Sequence, residues 1–192
     1  IQATELLLQE RVPRQSPTTV PRPLDEMRVT PPTPAVPLRR YRTPHTPYPH
    51  TQFLSNGKYI AGVTNAGGGA SSCQGVAVTR TRHDSTCDYG SQFLYLRDVR
   101  SGAVWSPTYH PTRRQAEDYT AVFLPEKASF ARRDDDIATQ LEIAVSTEHD
   151  VEVRRLKLTN RGLRIREIDI TSYAEVVLGA PVEPNACMEA RI

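Results

Sequence analysis

An antiparallel β-sandwich is the fold class this sequence predicts, and three observations predict it. From residue 51 onward, short runs rich in β-branched and aromatic residues recur at close spacing, with turn residues between them. Within these runs apolar and polar residues alternate, most plainly Ile137, Thr139, Leu141, Ile143 and Val145 against Gln140 and Glu142. Helical periodicity is almost absent. Many short strands without helices bury their apolar faces by stacking one sheet on another.

Taken in order, Thr4 to Val12 has the composition of a short helix with Leu6, Leu7 and Leu8 on one side, so residues 1–12 read as a connector too short to stand alone. Eleven of the 16 prolines precede residue 50, and residues 13–50 accordingly read as an extended, Pro-rich linker or arm. The sandwich is expected over residues 51–181 and a divergent or truncated tail over 182–192, leaving the fold incomplete at its C-terminus. Its strands are expected at Lys58–Thr64, Val76–Arg82, Gln92–Asp98, Ala103–Ser106, Tyr119–Leu124, Ala128–Arg132, Ile137–Val145, Val151–Thr159 and Ile165–Leu178. Turn signals stand at Asn56-Gly57, Arg100-Ser101-Gly102 and Asn160-Arg161-Gly162. Val151 and Val153 are out of phase with Leu156 and Leu158, and a β-bulge near Arg154-Arg155 is expected to absorb the slip.

Composition excludes several functions. The net charge of +2 gives no footing for nucleic acid or an anionic membrane. No apolar run approaches the roughly 20 residues that span a bilayer, and Leu6-Leu7-Leu8 is too short for a signal-peptide core. Cys73, Cys87 and Cys187 are an odd set, read as thiols, with a Cys73–Cys87 bridge as the alternative if their strands are neighbours. His45, His50, His83, His110 and His149 lack metal-ligand spacing, and His83-Asp84 beside Asp88 is the nearest approach to a cluster.

The residues with most chemical interest surround Gly67-Gly68-Gly69. Without side chains, these three let another chain or a ligand approach the backbone closely. No Gly-Lys-Ser/Thr follows, so this is no phosphate loop. Asp134-Asp135-Asp136 reads as a solvated hairpin turn, because neighbouring turn residues do not face each other across a substrate as paired glycosidase acids must. Glu175 reads as an acid at the core edge paired with an arginine. Tyr41, Tyr48, Tyr59, Tyr95, Tyr109 and Trp105 offer faces to a sugar, though on strands aromatics more often pack in the core, as is expected of Trp105. Arg80, Arg82 and Arg97 with Asp98 either bind hydroxyl groups or hold loops by ion pairing.

Several runs together resemble one family: Thr43-Pro44-His45-Thr46-Pro47, Leu54-Ser55-Asn56-Gly57-Lys58-Tyr59, Val63-Thr64-Asn65-Ala66-Gly67-Gly68-Gly69, Leu94-Tyr95-Leu96-Arg97-Asp98, Trp105-Ser106-Pro107 and Thr171-Ser172-Tyr173-Ala174-Glu175. They resemble the amino-terminal β-sandwich of the carbohydrate phosphorylases of glycoside hydrolase family 94, and within it the branch that makes cyclic β-1,2-glucan. The resemblance runs in order over about residues 3 to 181. It departs at Ala70, where an aromatic residue is usual, and after Pro181.

The resemblance implies a galactose-mutarotase-like supersandwich that supports a helical (α/α)₆ barrel. In the family the barrel carries the general acid, and inorganic phosphate attacks the anomeric carbon with inversion. The chain would then be a non-catalytic part of a β-glucan-active enzyme, with phosphate as the parent's co-substrate and no cofactor of its own. The implied partners are a β-glucan or oligosaccharide, the barrel and a second copy of the parent enzyme. The implied location is the cytoplasm, with membrane anchoring left to other segments of the parent. It implies that the glycine loop, with Asn65, Gly67, Gly68, Gly69 and Ser71, lies on the substrate side; Arg80, Arg97 and Asp98 join them as candidate substrate contacts on the residues' own chemistry. The other reading is a free-standing β-sandwich that binds carbohydrate or protein without chemistry.

Overall fold

The computed structural model describes residues 38–80 and 92–179. Every regular element among them is a strand: β1 (Arg39–Tyr41), β2 (Thr51–Ser55), β3 (Tyr59–Thr64), β4 (Gly69–Cys73), β5 (Val76–Thr79), β6 (Gln92–Asp98), β7 (Val104–Trp105), β8 (Asp118–Phe123), β9 (Ala128–Asp134), β10 (Ile137–Val145), β11 (Glu152–Asn160), β12 (Ile168–Ala174) and β13 (Val176–Gly179). They form three antiparallel sheets, ordered β1-β8-β9-β10-β11, β12-β6-β7 and β13-β5-β4-β3-β2.

Alternation decides which faces meet. On β8, β9 and β10 one face carries Tyr119, Ala121, Phe123, Ala128, Phe130, Leu141 and Ile143, and these pack against Leu54 of β2 and Val63 of β3. Farther along the same face, Ile137, Leu156 and Leu158 pack against Leu96, Trp105 and Ile168 of the β12-β6-β7 sheet. One long sheet is thus the back layer, and both other sheets lie on its inner face. Trp105 is core, as expected, and its indole N–H donates to Thr139 Oγ1 at 3.4 Å. Phe130, with no exposed surface, meets Phe123 edge to face at 6.3 Å between centroids.

Of the two readings of the Pro-rich segment, linker or arm, residues 39–50 follow the second and lie on the sandwich: β1 pairs with β8 in the register Arg39↔Phe123 to Tyr41↔Ala121, and Pro44, Thr46 and His50 bond to Asn65. Four sequence expectations need correction. β4 reads as a loop because glycine, alanine and serine have weak strand preference, yet it lies between β3 and β5 and its neighbours supply the pairing.

There is also no bulge at Arg154-Arg155. β11 pairs with β10 without a break from Ile137↔Asn160 to Val145↔Glu152. The apolar phase slip is real, and the strand meets it by exposing Val151 and Val153 and turning Glu152 and Arg154 inward.

Finally, Asp134 is not part of a solvated turn. Only Asp135 and Asp136 form the two-residue β9–β10 connection, with Asp135 at φ +50°, a conformation aspartate tolerates. Asp134 itself is buried. The last expected strand divides at Glu175 into β12 and β13, which belong to different sheets. Residues 1–12, most of the Pro-rich segment, His83, Asp84, Asp88, Cys87 and the 182–192 tail lie outside the described residues. Cys73 is a free thiol.

Candidate functional site

The turn from β3 to β4 is held from within. Gly67 N–H donates to the Thr64 carbonyl at 2.9 Å, Gly68 N–H to Thr64 Oγ1 at 2.9 Å, and Thr64 N–H to the Gly68 carbonyl at 2.8 Å. Asn65, fully buried, accepts from His50 N–H at 2.9 Å on Oδ1 and donates from Nδ2 to the Pro44 carbonyl and Thr46 Oγ1. Its carbonyl accepts from the Tyr119 hydroxyl at 2.7 Å. Both the amide and the main chain of Asn65 therefore tie residues 44–50 to the sandwich.

The glycines answer to the protein's own chain. At Gly67 (φ +93°) an added Cβ would fall 2.1 Å from Thr108 Cβ, and at Gly69 (φ +151°) 1.9 Å from the Gly62 carbonyl oxygen of β3. No other residue type fits such approaches. Thr108 is fixed in turn, since its carbonyl accepts from Arg132 Nη1 at 2.7 Å.

Around this turn lies an aromatic and imidazole rim. Tyr41 stacks on His50 at 4.8 Å, Tyr48 lies 5.1 Å from His50, and His45 meets Tyr109 edge-on at 4.8 Å. Tyr48 is 64% exposed and His45 is also exposed, while the turn beneath them is buried. This rim has the flat faces and polar tips on which sugar rings commonly rest.

The other sequence-predicted residues lie elsewhere. Ser71 of β4 donates to Glu152 Oε2 at 2.6 Å, and Glu152 Oε1 accepts from Arg154 Nε at 2.6 Å. Arg154 also reaches the Gln92 carbonyl. Beside this cluster, burial pushes the Tyr59 phenol above the usual tyrosine range, and the Glu152 charge adds to the shift. Arg80 pairs with Glu175 at 2.9 Å, which bears out the reading of Glu175 as an arginine-paired acid. Arg97 is exposed on β6.

Asp98 is almost completely buried and accepts from the N–H groups of Arg100 and Ser101 on Oδ1 and from Arg166 Nε on Oδ2. The Ser101 N–H, then the Arg166 guanidinium, hold it below the ordinary aspartate range against the opposing effect of burial. Asn65, Gly67, Gly68 and Gly69 thus share one end of the fold; Ser71, two residues further along β4, turns its hydroxyl to Glu152, Asp98 is engaged by Arg166, Arg80 by Glu175, and Arg97 is exposed on β6.

Sequence reasoning missed Arg132. Its side chain has no exposed surface and lies edge to edge with Asp134, with Nε–Oδ2 and Nη2–Oδ1 both 2.7 Å. The available signal was parity: Ala128, Phe130, Arg132 and Asp134 occupy successive inward positions of one strand.

The described residues thus form a two-layer antiparallel β-sandwich with a glycine turn beneath an aromatic rim. The sequence matches the glycosyl hydrolase 94 supersandwich domain over residues 35–190, beyond Pro181, and the chain belongs to that family. It is 38% identical over 182 residues to cyclic beta-(1,2)-glucan synthase NdvB of Rhizobium meliloti, a match covering 93% of this chain and 6% of the synthase. It is 27% identical to 3-O-beta-D-glucopyranosyl-beta-D-glucuronide phosphorylase and 28% identical to solabiose phosphorylase, both of Paenibacillus borealis. Those matches cover 67% and 69% of this chain and 16% and 18% of the relatives. The chain thus spans a small part of the length of each. Among the described residues no helix is long and apolar enough to cross a membrane.

Proposed function

We propose that the chain is the non-catalytic supersandwich part of a β-glucan-active phosphorylase or cyclic β-1,2-glucan synthase type enzyme. In this reading it supports a helical (α/α)₆ barrel and sets the glycine-turn end, with its aromatic rim, toward the sugar. Residues Asn65 to Gly69 serve there by holding the rim in place, and Tyr48, His45 and Tyr109 make what contact the sandwich has with glucan. The parent enzyme uses inorganic phosphate as co-substrate and works in the cytoplasm as a homodimer.

The observation that carries this reading is the family match across residues 35–190. The disposition of the buried carboxylates supports it: among the described residues, Asp98, Asp134 and Glu152 are each engaged by an arginine and by no second carboxylate. General acid catalysis on a glycoside needs a protonated carboxyl facing the bond to be broken. The test is to incubate the chain with inorganic phosphate and linear β-1,2-glucan, alone and with a family barrel added, and to assay glucose 1-phosphate. Release is expected only with the barrel present. Turnover by the chain alone would overturn the reading.

A further inference from the structure

The outer face of the β8-β9-β10-β11 sheet, away from both cores, carries a groove of about 390 Å³. Register explains it. Thr120, Ala131, Gln140 and Lys157 stand in one cross-strand row, and Asp118, Arg133, Ala138 and Thr159 in the next. Ala131 and Ala138 are central in these rows and leave a floor near the level of the backbone. Longer side chains rise around it: Lys157 and Thr159 two residues apart on β11, and Arg161 just past the strand's end.

The polar groups here are unspent. Among the described residues, the side chains of Thr120, Gln140, Lys157, Thr159 and Arg161 have no hydrogen bond or ion pair. Arg133 differs: Glu117 holds its Nη2 at 2.8 Å and Asp118 lies 3.4 Å from its Nε. That Nε is buried and makes no hydrogen bond. Arg133 is therefore more than neutralised, with one carboxylate in excess on the β8 side of the groove, and the free positive charge belongs to Lys157 and Arg161 on the β11 side.

We propose that this groove binds a sugar phosphate. The two unpaired cations on the β11 side match a phosphate monoester, which carries about −1.5 to −2 at pH 7, and the excess carboxylate on the β8 side, three strands away, accepts from sugar hydroxyls. Thr120, Thr159 and Gln140 supply both donors and acceptors, the set that pairs with sugar hydroxyls. The volume lies near the lower end of the roughly 300–1,000 Å³ typical of ligand pockets, which suits one sugar residue rather than a chain. The site lies on the sheet face opposite the cores and is independent of the glycine-turn end.

The test is amide NMR on the ¹⁵N-labelled full chain, titrated separately with glucose 1-phosphate, inorganic phosphate, glucose and glucuronate. Glucose 1-phosphate is expected to give saturable shifts centred on residues 118–120, 131–133, 138–140 and 157–161, with Kd of about 1 mM or tighter. The other three are expected to bind at least about tenfold more weakly. The double variant Lys157→Met/Arg161→Met should lose the response at unchanged thermal midpoint, and Ala138→Leu, which fills the floor, should lose it independently. The proposal falls if the groove amides do not respond, if phosphate or glucuronate binds as tightly, or if either folded variant still binds.

Discussion

Arg132 and Asp134 face each other two residues apart on β9, both ends of the guanidinium bonded to the carboxylate at 2.7 Å in the interior of the sandwich. The arginine also donates to the carbonyls of Thr108 and Arg114, so this one side chain pins the connection between β7 and β8. A buried ion pair contributes little over an apolar pair of the same shape, but removing one partner leaves a charge without compensation. Asp134→Asn and Arg132→Met are each expected to destabilise the chain by about 3–5 kcal/mol. In urea denaturation the double variant should lose less than the sum of the two. Additive losses would mean that the two groups do not act as a pair.

The glycines give a graded prediction. Gly57 and Gly67 share φ +93°, but a Cβ at Gly57 meets nothing within 4 Å and one at Gly67 overlaps Thr108. Gly57→Ala is therefore expected to cost only the left-handed backbone strain, about 1–2 kcal/mol. Gly67→Ala should cost clearly more, and Thr108→Gly in the same chain should recover part of the difference. Equal losses at the two positions in thermal melts would refute the crowding argument.

Stability should decline at both ends of the pH scale. Asp98 and Glu142 are held below the carboxylate range, Asp98 chiefly by the Ser101 N–H and Glu142 chiefly by Lys127. A depressed carboxylate stabilises the fold above its unfolded pKa, about 4, and that contribution is lost as pH falls through the folded value. Tyr59 has the opposite sign, because its phenol is raised. Its contribution is complete below the unfolded pKa of about 10 and is lost as pH rises from there through the folded value. Urea midpoints measured across pH should show a flatter acid limb for Asp98→Asn and a flatter alkaline limb for Tyr59→Phe. An unchanged limb in either variant would remove that residue from the account.

Hydrogen exchange should separate the strands. β10 is paired on both sides and alternates buried residues with half-buried ones and the exposed Gln140, whereas β12 is an edge strand and all but Ile168 of its residues are exposed. Amides of residues 139–143 are expected to exchange most slowly and those of 170–174 far faster. Ile170 and Tyr173 of β12 and Val176 and Leu178 of β13 also leave an apolar margin open, a template for edge pairing. Light scattering at rising concentration should detect association, and Ile170→Lys should reduce it. Slow exchange across β12 in dilute monomer would contradict the assignment.

The strands that the sequence made legible are those whose inward positions are apolar throughout, β10 above all. β11 was misjudged because its alternation persists through Glu152 and Arg154, and a pattern built on apolar residues registers that as a slip. β4 was invisible because its pairing comes from β3 and β5 and owes little to its own composition. At the candidate site the glycines stood out, but their cause did not: Thr108 lies far along the chain from Gly67, and no local signal announces the contact. The groove between Arg133, Lys157 and Arg161 needed the register of three hairpins before its floor of alanines could be recognised.

The joint at Glu175 has a mechanical consequence. One continuous chain leaves the β12-β6-β7 sheet there and enters the margin of the other front sheet as β13, paired with β5 alone. A load on residue 179 directed away from the domain peels β13 rung by rung, like a zip fastener, at low force. It then reaches the carbonyl of Glu175 bonded to Arg80 N–H at 3.0 Å and the carboxylate clamped by the same arginine. Arg80 and Glu175 thus stand at the end of the fastener, the contacts that tension meets after the last strand is freed and before it reaches β12 and the Trp105 side of the sandwich.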